Sequence, residues 1–202
     1  MRKSAVLFVV VACLLLATSV VAADAMNVVR GGIGYVKPSG DTTGVGGGYT
    51  LEAQSAMNLY IAYERKINDL FGVNFDLFVS NHDIDVTGNG LNDNFADMRM
   101  MPLTVAGLFH PLEKGKVDFY IGPAFSWVMY DDPTIERKYS FVLGNQPGLN
   151  VSDDFTWAFQ TGADFMFNET WGLNLDFKYI ATQAEDLDIN PMVFGVGFAA
   201  HF

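Results

Sequence analysis

Six charged residues fall on the same side of alternating apolar segments, where they could act together chemically. They are Asp76, Asp118, Asp164 and Asp176, with Arg30 and Lys178. Paired carboxylates can serve as the acid and the base of glycoside hydrolysis. Carboxylates removed from water also need cationic partners, and Arg30 and Lys178 would supply them. We interpret the six residues as a buried ion-pair network, the polar plug, with no catalytic residue among them. Arg30 is expected to pair with one or more of Asp76, Asp118 and Asp176.

Two further patterns near residue 80 suggest chemistry. Ser80 and His82 share one strand face, as the nucleophile and base of a lipid hydrolase would. A polar pair at a rim is the preferred interpretation. Asp83 and Asp85, with glycine at the sixth position, are similar to the start of a calcium loop, but Asn94 replaces the bidentate glutamate at position twelve. An acidic surface segment is preferred here, so neither a metal site nor a cofactor is predicted.

The elements that position these residues are strands with a period of two. The last segment shows it best, because every second residue back from Phe202 is apolar as far as Met192. The same alternation predicts eight strands: Met26–Lys37, Tyr49–Tyr63, Leu70–Asn81, Met100–His110, Val117–Tyr130, Phe155–Met166, Gly172–Thr182 and Pro191–Phe202. A strand with lipid on one face and a filled lumen on the other needs this pattern.

The connections between the segments alternate in length. Three are predicted to be tight turns: Glu64–Asp69, Pro111–Lys116 and Phe167–Trp171. Long links separate the other segments: Pro38–Gly48, His82–Arg99, Asp131–Asp154 and Gln183–Asn190. This arrangement predicts an all-β fold, an eight-stranded antiparallel transmembrane β-barrel with short periplasmic turns and longer extracellular loops. Pro123 in the fifth segment cannot donate a ladder hydrogen bond, which predicts a weak point in the wall.

The N-terminus and the composition agree with an envelope protein. Residues 1–23 are predicted to be a signal peptide, because Arg2 and Lys3 precede an apolar run that ends in small residues. Residues 24–202 then form one barrel domain without the single cysteine, Cys13. The net charge of −11 becomes −13 once Arg2 and Lys3 are removed. Such a surface repels phosphate backbones, so nucleic acid is not an expected partner.

Five stretches carry a resemblance to the OmpW family of outer-membrane barrels. They are Leu70–Ile84, Met101–Val105 with Phe109-His110, Phe119–Ala124, Glu169–Asp176 and Asp188–Pro191. Together they represent most of the predicted mature chain. The resemblance implies a monomeric eight-stranded barrel of the cell outer membrane. It also implies that small hydrophobic molecules cross the membrane through the barrel.

The inward residues can be sorted by height, because the short turns fix the direction of each strand. An apolar channel lining is predicted next to the long links: Phe78, Ala106, Val128, Tyr130, Ala158, Ile180 and Val193. The polar plug lies below it. An eight-stranded barrel has an interior just wide enough for side chains or one small ligand. We therefore predict passive passage of small hydrophobic molecules, which enter an apolar funnel and leave sideways into the bilayer near Pro123.

The alternative function is a structural or adhesive barrel whose acidic loops bind divalent cations and lipopolysaccharide. Side chains packed to the rim would favour that alternative, whereas an open funnel would favour passage. A rim-located lipid hydrolase would require a hydrogen bond between Ser80 and His82. We predict that the chain is not an enzyme, and that its partners are outer-membrane lipids, lipopolysaccharide and small hydrophobic solutes.

Overall fold

The computed structural model describes residues 26–40, 43–46, 48–113, 115–131, 134–135, 152–184 and 187–202. The predicted signal peptide and most of the link from Asp131 to Asp154 lie outside these ranges. The strands are β1 Asn27–Lys37, β2 Thr43–Gly46, β3 Tyr49–Ala53, β4 Ala56–Asn68, β5 Phe71–Gly88, β6 Leu91–Glu113, β7 Val117–Tyr130, β8 Thr134–Ile135, β9 Asp154–Met166, β10 Trp171–Ile180, β11 Gln183–Ala184, β12 Leu187–Asp188 and β13 Met192–His201.

Eight antiparallel strands close into a ring in the order β1, β4, β5, β6, β7, β9, β10, β13. The first and last strands pair directly, and Asn27 and Phe202 exchange backbone hydrogen bonds of 2.7 and 2.9 Å. The predicted fold class is therefore confirmed. Closure satisfies the ladder hydrogen bonds of both terminal strands, which a sheet in lipid requires. No helix in the described part of the chain is long and apolar enough to span a membrane.

The two faces of the ring differ as the alternation predicts. Large apolar side chains cover the outside, and several of them are more than half exposed, among them Phe155 at 71% and Phe198 at 62%. Phe125 and Phe155 stack on this face with ring centroids 5.8 Å apart. A soluble monomer rarely exposes so large an apolar surface, whereas a barrel wall in lipid requires one.

At the lower end, where the connections are short, asparagine side chains shape two of the turns. Asn68 Oδ1 accepts hydrogen bonds of 2.9 Å from the backbone N–H groups of Leu70 and Phe71. Asn168 Oδ1 accepts equivalent bonds of 2.9 and 2.8 Å from Thr170 and Trp171. Asparagine commonly stabilises turns by bonding to backbone groups two residues further on. These contacts make the lower connections short.

The upper end differs most from the sequence prediction. The predicted link His82–Arg99 does not exist, since β5 runs to Gly88 and β6 starts at Leu91. The turn between them is Asn89-Gly90, with φ angles of 49° and 83°. Asn-Gly is the preferred pair for a two-residue hairpin turn with positive φ at both positions. The hairpin and β3, which pairs with β5 over Thr50–Ala53, form a part of the sheet that we call the upper extension.

Other boundaries shift by smaller amounts. The second predicted segment is two strands, β3 and β4, and β4 continues to Asn68 through the predicted turn. Strand β6 reaches Glu113 and has a bulge at His110 and Pro111, where two residues oppose one residue of β7. A bulge adds a residue and bends the strand locally. Strand β7 has the predicted bounds.

Candidate functional site: a charged layer beneath an apolar cluster

The lower lumen is filled by a layer of interconnected polar side chains. Its charged members are Arg30, Glu64, Lys66, Asp76, Asp118, Asp164, Asp176 and Lys178, all buried on the inner face. Arg30 lies at the centre. Its Nε and Nη2 donate to Asp164 Oδ2 at 3.0 and 2.8 Å, and its Nη1 donates to Glu64 Oε2 at 2.8 Å. The guanidinium also stacks on the Tyr120 ring at 4.5 Å. We call this the charged layer.

The predicted partners of Arg30 were wrong. Arg30 contacts Asp164 and Glu64 rather than Asp76, Asp118 or Asp176. Alternation shows which face a residue occupies, but the tilt of the strands decides which inward residues of non-adjacent strands meet. Glu64 and Lys66 were missed altogether because they were placed in a turn. These two residues alternate with Tyr63 and Arg65, which face outwards, and this alternation could have shown that the strand continues through them.

His110 connects the two carboxylates of the layer that are nearest to Lys66. Its Nε2 lies 2.7 Å from Glu64 Oε1, and its Nδ1 lies 2.7 Å from Asp118 Oδ1. Both nitrogens can donate only in the imidazolium form. Lys66 Nζ donates to the other oxygen of Asp118 at 2.8 Å. The charge of Asp118 is therefore balanced by two groups that the sequence prediction did not connect to it.

The other side of the layer is built around Asp176. Lys178 contacts this carboxylate closely and also lies 3.1 Å from Asp76 Oδ2. Tyr120 Oη and Gln160 Nε2 donate to Asp176 Oδ2, each at 2.8 Å. Among the described residues, five carboxylates thus face Arg30, Lys66 and Lys178, and two histidines, His110 and His201, are in contact with the carboxylates. With both histidines charged, the positive and negative groups are equal in number.

Small residues make room for the two tyrosines of the layer. A Cβ added at Gly162 would lie 2.3 Å from Tyr120 Oη, and one added at Gly197 would lie 2.6 Å from Tyr60 Oη. The Tyr60 hydroxyl donates to Asn174 Oδ1 at 2.8 Å. Glycine at these inward positions therefore permits the rings to cross the lumen.

One subset of the layer has the spacing of a metal site. Oxygen and nitrogen atoms of Asp118, Asp164 and His201 lie within 4.8 Å of one another. Each carboxylate is already bonded to a cation, however: Asp118 to Lys66, and Asp164 to Arg30. A metal ion would have to compete with these cations, so the three residues belong to the ion-pair network. Asp118 and His201 also line a cavity of about 720 Å³ at the lower end, which gives the network its boundary with water.

The predicted channel lining lies directly above the charged layer. Phe78, Ala106, Val128, Tyr130, Ala158, Ile180 and Val193 are all buried and belong to one apolar cluster. The cluster continues into the upper extension through Leu51, Ile84, Val86, Phe95, Met98 and Met100. The sequence prediction placed Ile84, Val86, Phe95 and Met98 in the link His82–Arg99 and expected an apolar funnel below it. In the structure the apolar side chains pack against one another up to the upper extension, which is the arrangement that the structural or adhesive alternative predicts.

A row of alanines crosses the lumen wall where the cluster meets the charged layer. Ala106 pairs with Ala124, and Ala124 pairs with Ala158. At one end of the row Ala106 faces Asn74 of the charged layer, and at the other Ala158 faces Ile180 of the apolar cluster. Three short side chains thus lie side by side on the inner face, and all three are buried beneath their neighbours.

The ladder between β6 and β7 lacks two pairs next to this row, beside Pro123, although the backbones of Gly107 and Gly122 remain close to each other. Pairing of β6 with β7 stops at Ala106–Ala124 and resumes at Phe109–Ile121, so Gly107 and Leu108 are skipped. The register places Pro123 opposite Gly107, and proline has no N–H to donate. A second interruption separates β5 from β6 beside Pro102, where Phe78 and Val79 are skipped.

Ser80 and His82 do form the contact that a hydrolase would need. Ser80 Oγ and His82 Nε2 are 2.9 Å apart, and His82 Nδ1 lies 2.8 Å from the backbone carbonyl of Gln54. The carbonyl accepts from Nδ1–H, so Nε2 accepts from the serine hydroxyl. Both side chains are buried and face the lumen. Bilayer lipids contact the other face of the wall, so this pair does not support a lipid hydrolase.

The acidic segment after His82 is part of two strands and does not form a calcium loop. Asp83 is opposite Asp97, and Asp85 is opposite Glu52. An extended strand points alternate side chains in opposite directions, so it does not wrap around one ion. The pKa of the Asp85 carboxyl is raised by partial burial and then by the nearby charges of Asp83, Glu52 and Asp93. We call these outward carboxylates the acidic ridge.

Comparison with known proteins identifies the chain. A model of the OmpW family matches residues 26–202. The chain belongs to the OmpW family. This membership confirms the predicted family and its location in the cell outer membrane, so the upper end of the barrel is extracellular. OmpW-family barrels are transport or structural proteins, which agrees with the prediction that the chain is not an enzyme.

Three solved structures of outer-membrane proteins illustrate the shared fold. OprG from Pseudomonas aeruginosa is 20% identical with a TM-score of 0.75, and the match covers 88% of this chain and 96% of OprG. Outer membrane protein W of E. coli is 18% identical with a TM-score of 0.56, over 88% and 98% of the two chains. AlkL, solved in lipid bilayers, is 18% identical with a TM-score of 0.52, over 88% and 90%. Comparison with curated protein sequences gives no match.

Proposed function

We propose that this OmpW-family barrel lets small hydrophobic molecules cross the outer membrane. The observation that carries the proposal is the position of the alanine row. It connects the apolar cluster to the edge of the charged layer, and it adjoins the interrupted pairing of β6 with β7. A solute held in the cluster is thus next to the part of the wall where the β6–β7 ladder lacks two pairs. One chain closes the ring without leaving a free strand edge, which supports the proposal that the barrel acts as a monomer.

The apolar cluster provides the attraction. Removing apolar surface from water contributes about 25 cal/mol per Å². In this structure the cluster is packed, so a solute enters by replacing contacts that Phe78, Met100 and their neighbours make with one another. Exchange of one apolar contact for another costs little, whereas entry into the charged layer would separate ion pairs that have no access to water.

The route out is lateral, between β6 and β7. Closing this route with a disulfide tests the proposal. Gly107 and Pro123 both face outwards, and antiparallel partners lie within the Cα separation that a disulfide spans. The double variant Gly107→Cys with Pro123→Cys is expected to lose uptake of the apolar dye N-phenyl-naphthylamine when oxidised, and to recover uptake on reduction. The dye is measured by fluorescence in intact cells.

The matched control joins the same two strands at a paired position. Val105 is opposite Phe125, and both side chains face lipid. The variant Val105→Cys with Phe125→Cys is expected to take up the dye in both redox states. Uptake that survives the disulfide at positions 107 and 123 would refute the lateral exit. Equal uptake by cells with and without the barrel would refute passage itself.

The acidic ridge favours a second candidate function, a barrel that binds divalent cations between itself and lipopolysaccharide. Like charges directly opposite one another destabilise a sheet, and Asp83 with Asp97 forms such a pair. Magnesium should therefore slow hydrogen exchange in the upper extension of the purified barrel. Asp83→Asn with Asp97→Asn should remove that effect, whereas Asp69→Asn at the lower end should not. Unchanged exchange on adding magnesium would refute this candidate.

A further inference from the structure

Among the described residues, Asn58 is a buried polar side chain without a hydrogen bond, on the same inner face as the apolar cluster. Both the Nδ2 and the Oδ1 of Asn58 lack a partner, and the residue is only 4% exposed. Buried polar groups in native proteins are nearly always bonded, so an exception needs an explanation. A leucine of similar size would avoid the cost of burying the amide. The presence of asparagine therefore indicates a role for its polar group that an apolar side chain could not fill.

The surroundings of Asn58 hold its carboxamide in the lumen. It faces Gly34 on β1 and Ser80 on β5. A Cβ at Gly34 would lie 2.3 Å from Asn58 Oδ1, so the glycine provides the space that the amide occupies. Directly opposite residues in an antiparallel pair have Cβ atoms about 4.5–5.5 Å apart, which brings the Ser80 hydroxyl beside the amide.

Asn58 and Ser80 offer uncharged hydrogen-bonding groups. The Ser80 hydroxyl donates its hydrogen bond to His82 Nε2, which leaves the serine oxygen free to accept one. Asn58 adds a donor and a second acceptor. The lumen-side neighbours of Asn58 and Ser80 along their own strands are Ala56, Tyr60, Phe78 and His82, and none of them has a fixed charge. Lys178 lies 5.4 Å from the Tyr60 ring but is already paired with Asp76 and Asp176, so an ionised ligand would have no unpaired counter-ion here. A group that both donates and accepts would be satisfied.

We propose that Asn58 and Ser80 bind the uncharged polar end of an amphiphilic solute whose apolar chain lies in the cluster. A straight-chain alcohol is the simplest member of this class. Its hydroxyl accepts from Asn58 Nδ2 and donates to Asn58 Oδ1 or Ser80 Oγ. The inference rests on the proposed passage of hydrophobic molecules and restricts it to a class of solute.

A pair of solutes of equal chain length tests the site. Uptake of radiolabelled octanol and octane is measured in intact cells that carry the wild-type barrel or Asn58→Leu. Loss of one or two hydrogen bonds is expected to lower the octanol-to-octane uptake ratio by about tenfold. Octane uptake should be unchanged, because leucine restores apolar packing. Ser126→Ala is the control, since Ser126 already bonds to Thr104 at 3.0 Å and its loss should leave the ratio unchanged.

A binding measurement separates this inference from the proposed function. The side-chain amide resonances of Asn58, assigned by their absence from Asn58→Leu, should shift when octanol is added to the labelled barrel in lipid nanodiscs, and not when octane is added. An unchanged uptake ratio in Asn58→Leu, or no shift with octanol, would overturn the site. Absence of uptake for both solutes, with the octanol shift present, would refute passage and leave the site standing.

Discussion

Arg30 is expected to contribute more to stability than any other cation of the charged layer. Arg30→Ala would leave Asp164 and Glu64 without the guanidinium that contacts both of them. Removing one partner of a buried ion pair typically costs about 3–5 kcal/mol. Both carboxylates keep a histidine within 3.1 Å, which limits the loss to this range. The unfolding constant should therefore rise by roughly two to four powers of ten.

The assay is equilibrium unfolding of the barrel by urea in lipid vesicles, followed by tryptophan fluorescence. Arg99→Ala is the matched control, because Arg99 forms a half-exposed ion pair with Asp131 at 3.6 Å. Exposed pairs contribute about 0–1 kcal/mol, so this variant should resemble the parent. A loss for Arg30→Ala that is no larger than the loss for Arg99→Ala would refute the reasoning.

A double variant identifies the partner. If Arg30 acts through Asp164, adding Asp164→Asn to Arg30→Ala should cost less than the sum of the two single changes. Contacting residues show coupling of about 0.5–3 kcal/mol. Additive losses would show that the guanidinium stabilises the barrel by filling space rather than by balancing charge.

Two further predictions concern other parts of the barrel. Gly162→Ala should destabilise the folded barrel by about 1–3 kcal/mol, because the new methyl group displaces Tyr120 from Asp176. Gly107→Ala is the control and should melt like the parent, since no atom lies within 4 Å of its added Cβ. Equal melting temperatures for the two variants would contradict this prediction. The pKa of the Asp85 carboxyl is raised in the folded state, so the folded state binds the proton more tightly than the unfolded chain does. The upper extension should therefore gain stability as the pH falls from neutral toward the pKa of an unfolded aspartate, about 3.9. Protection factors in the extension, which are corrected for the intrinsic pH dependence of amide exchange, should rise accordingly, and Asp85→Asn should abolish that rise.

The sequence predicted the barrel wall better than its contents. Strand β7 matched its predicted bounds because strict alternation ends at clear turn residues on both sides. The upper extension was missed although Asn89-Gly90 is a strong hairpin signal, because acidic residues around it suggested a loop. Inward Ile84 and Val86 continue the alternation through that region. The apolar side of the strand was the reliable indicator there.

The contacts inside the lumen depend on geometry that alternation does not specify. The prediction that Arg30 faces the lumen was correct, but its partner Asp164 belongs to a strand on the other side of the ring. Which heights coincide across a barrel depends on strand tilt and stagger. Charge was also misleading at Glu64, where a run of charged residues indicates a turn in a soluble protein. In a barrel with a polar lumen the same residues continue the strand.

In the proposed passage, the height at which the lumen changes from apolar to charged determines the direction in which an apolar solute can leave. Asp76 and Lys178 are joined across the lumen, and the next inward residues above them are Phe78 and Ile180. One inward step is two residues, or about 6.6–6.8 Å of strand. A solute that fills the cluster therefore already touches the charged layer. Moving further down exchanges apolar neighbours for charges and separates a buried pair, at about 3–5 kcal/mol. Moving sideways exchanges them for lipid tails, which are equally apolar. This difference supports the proposed lateral route beside Pro123 over a route along the barrel axis.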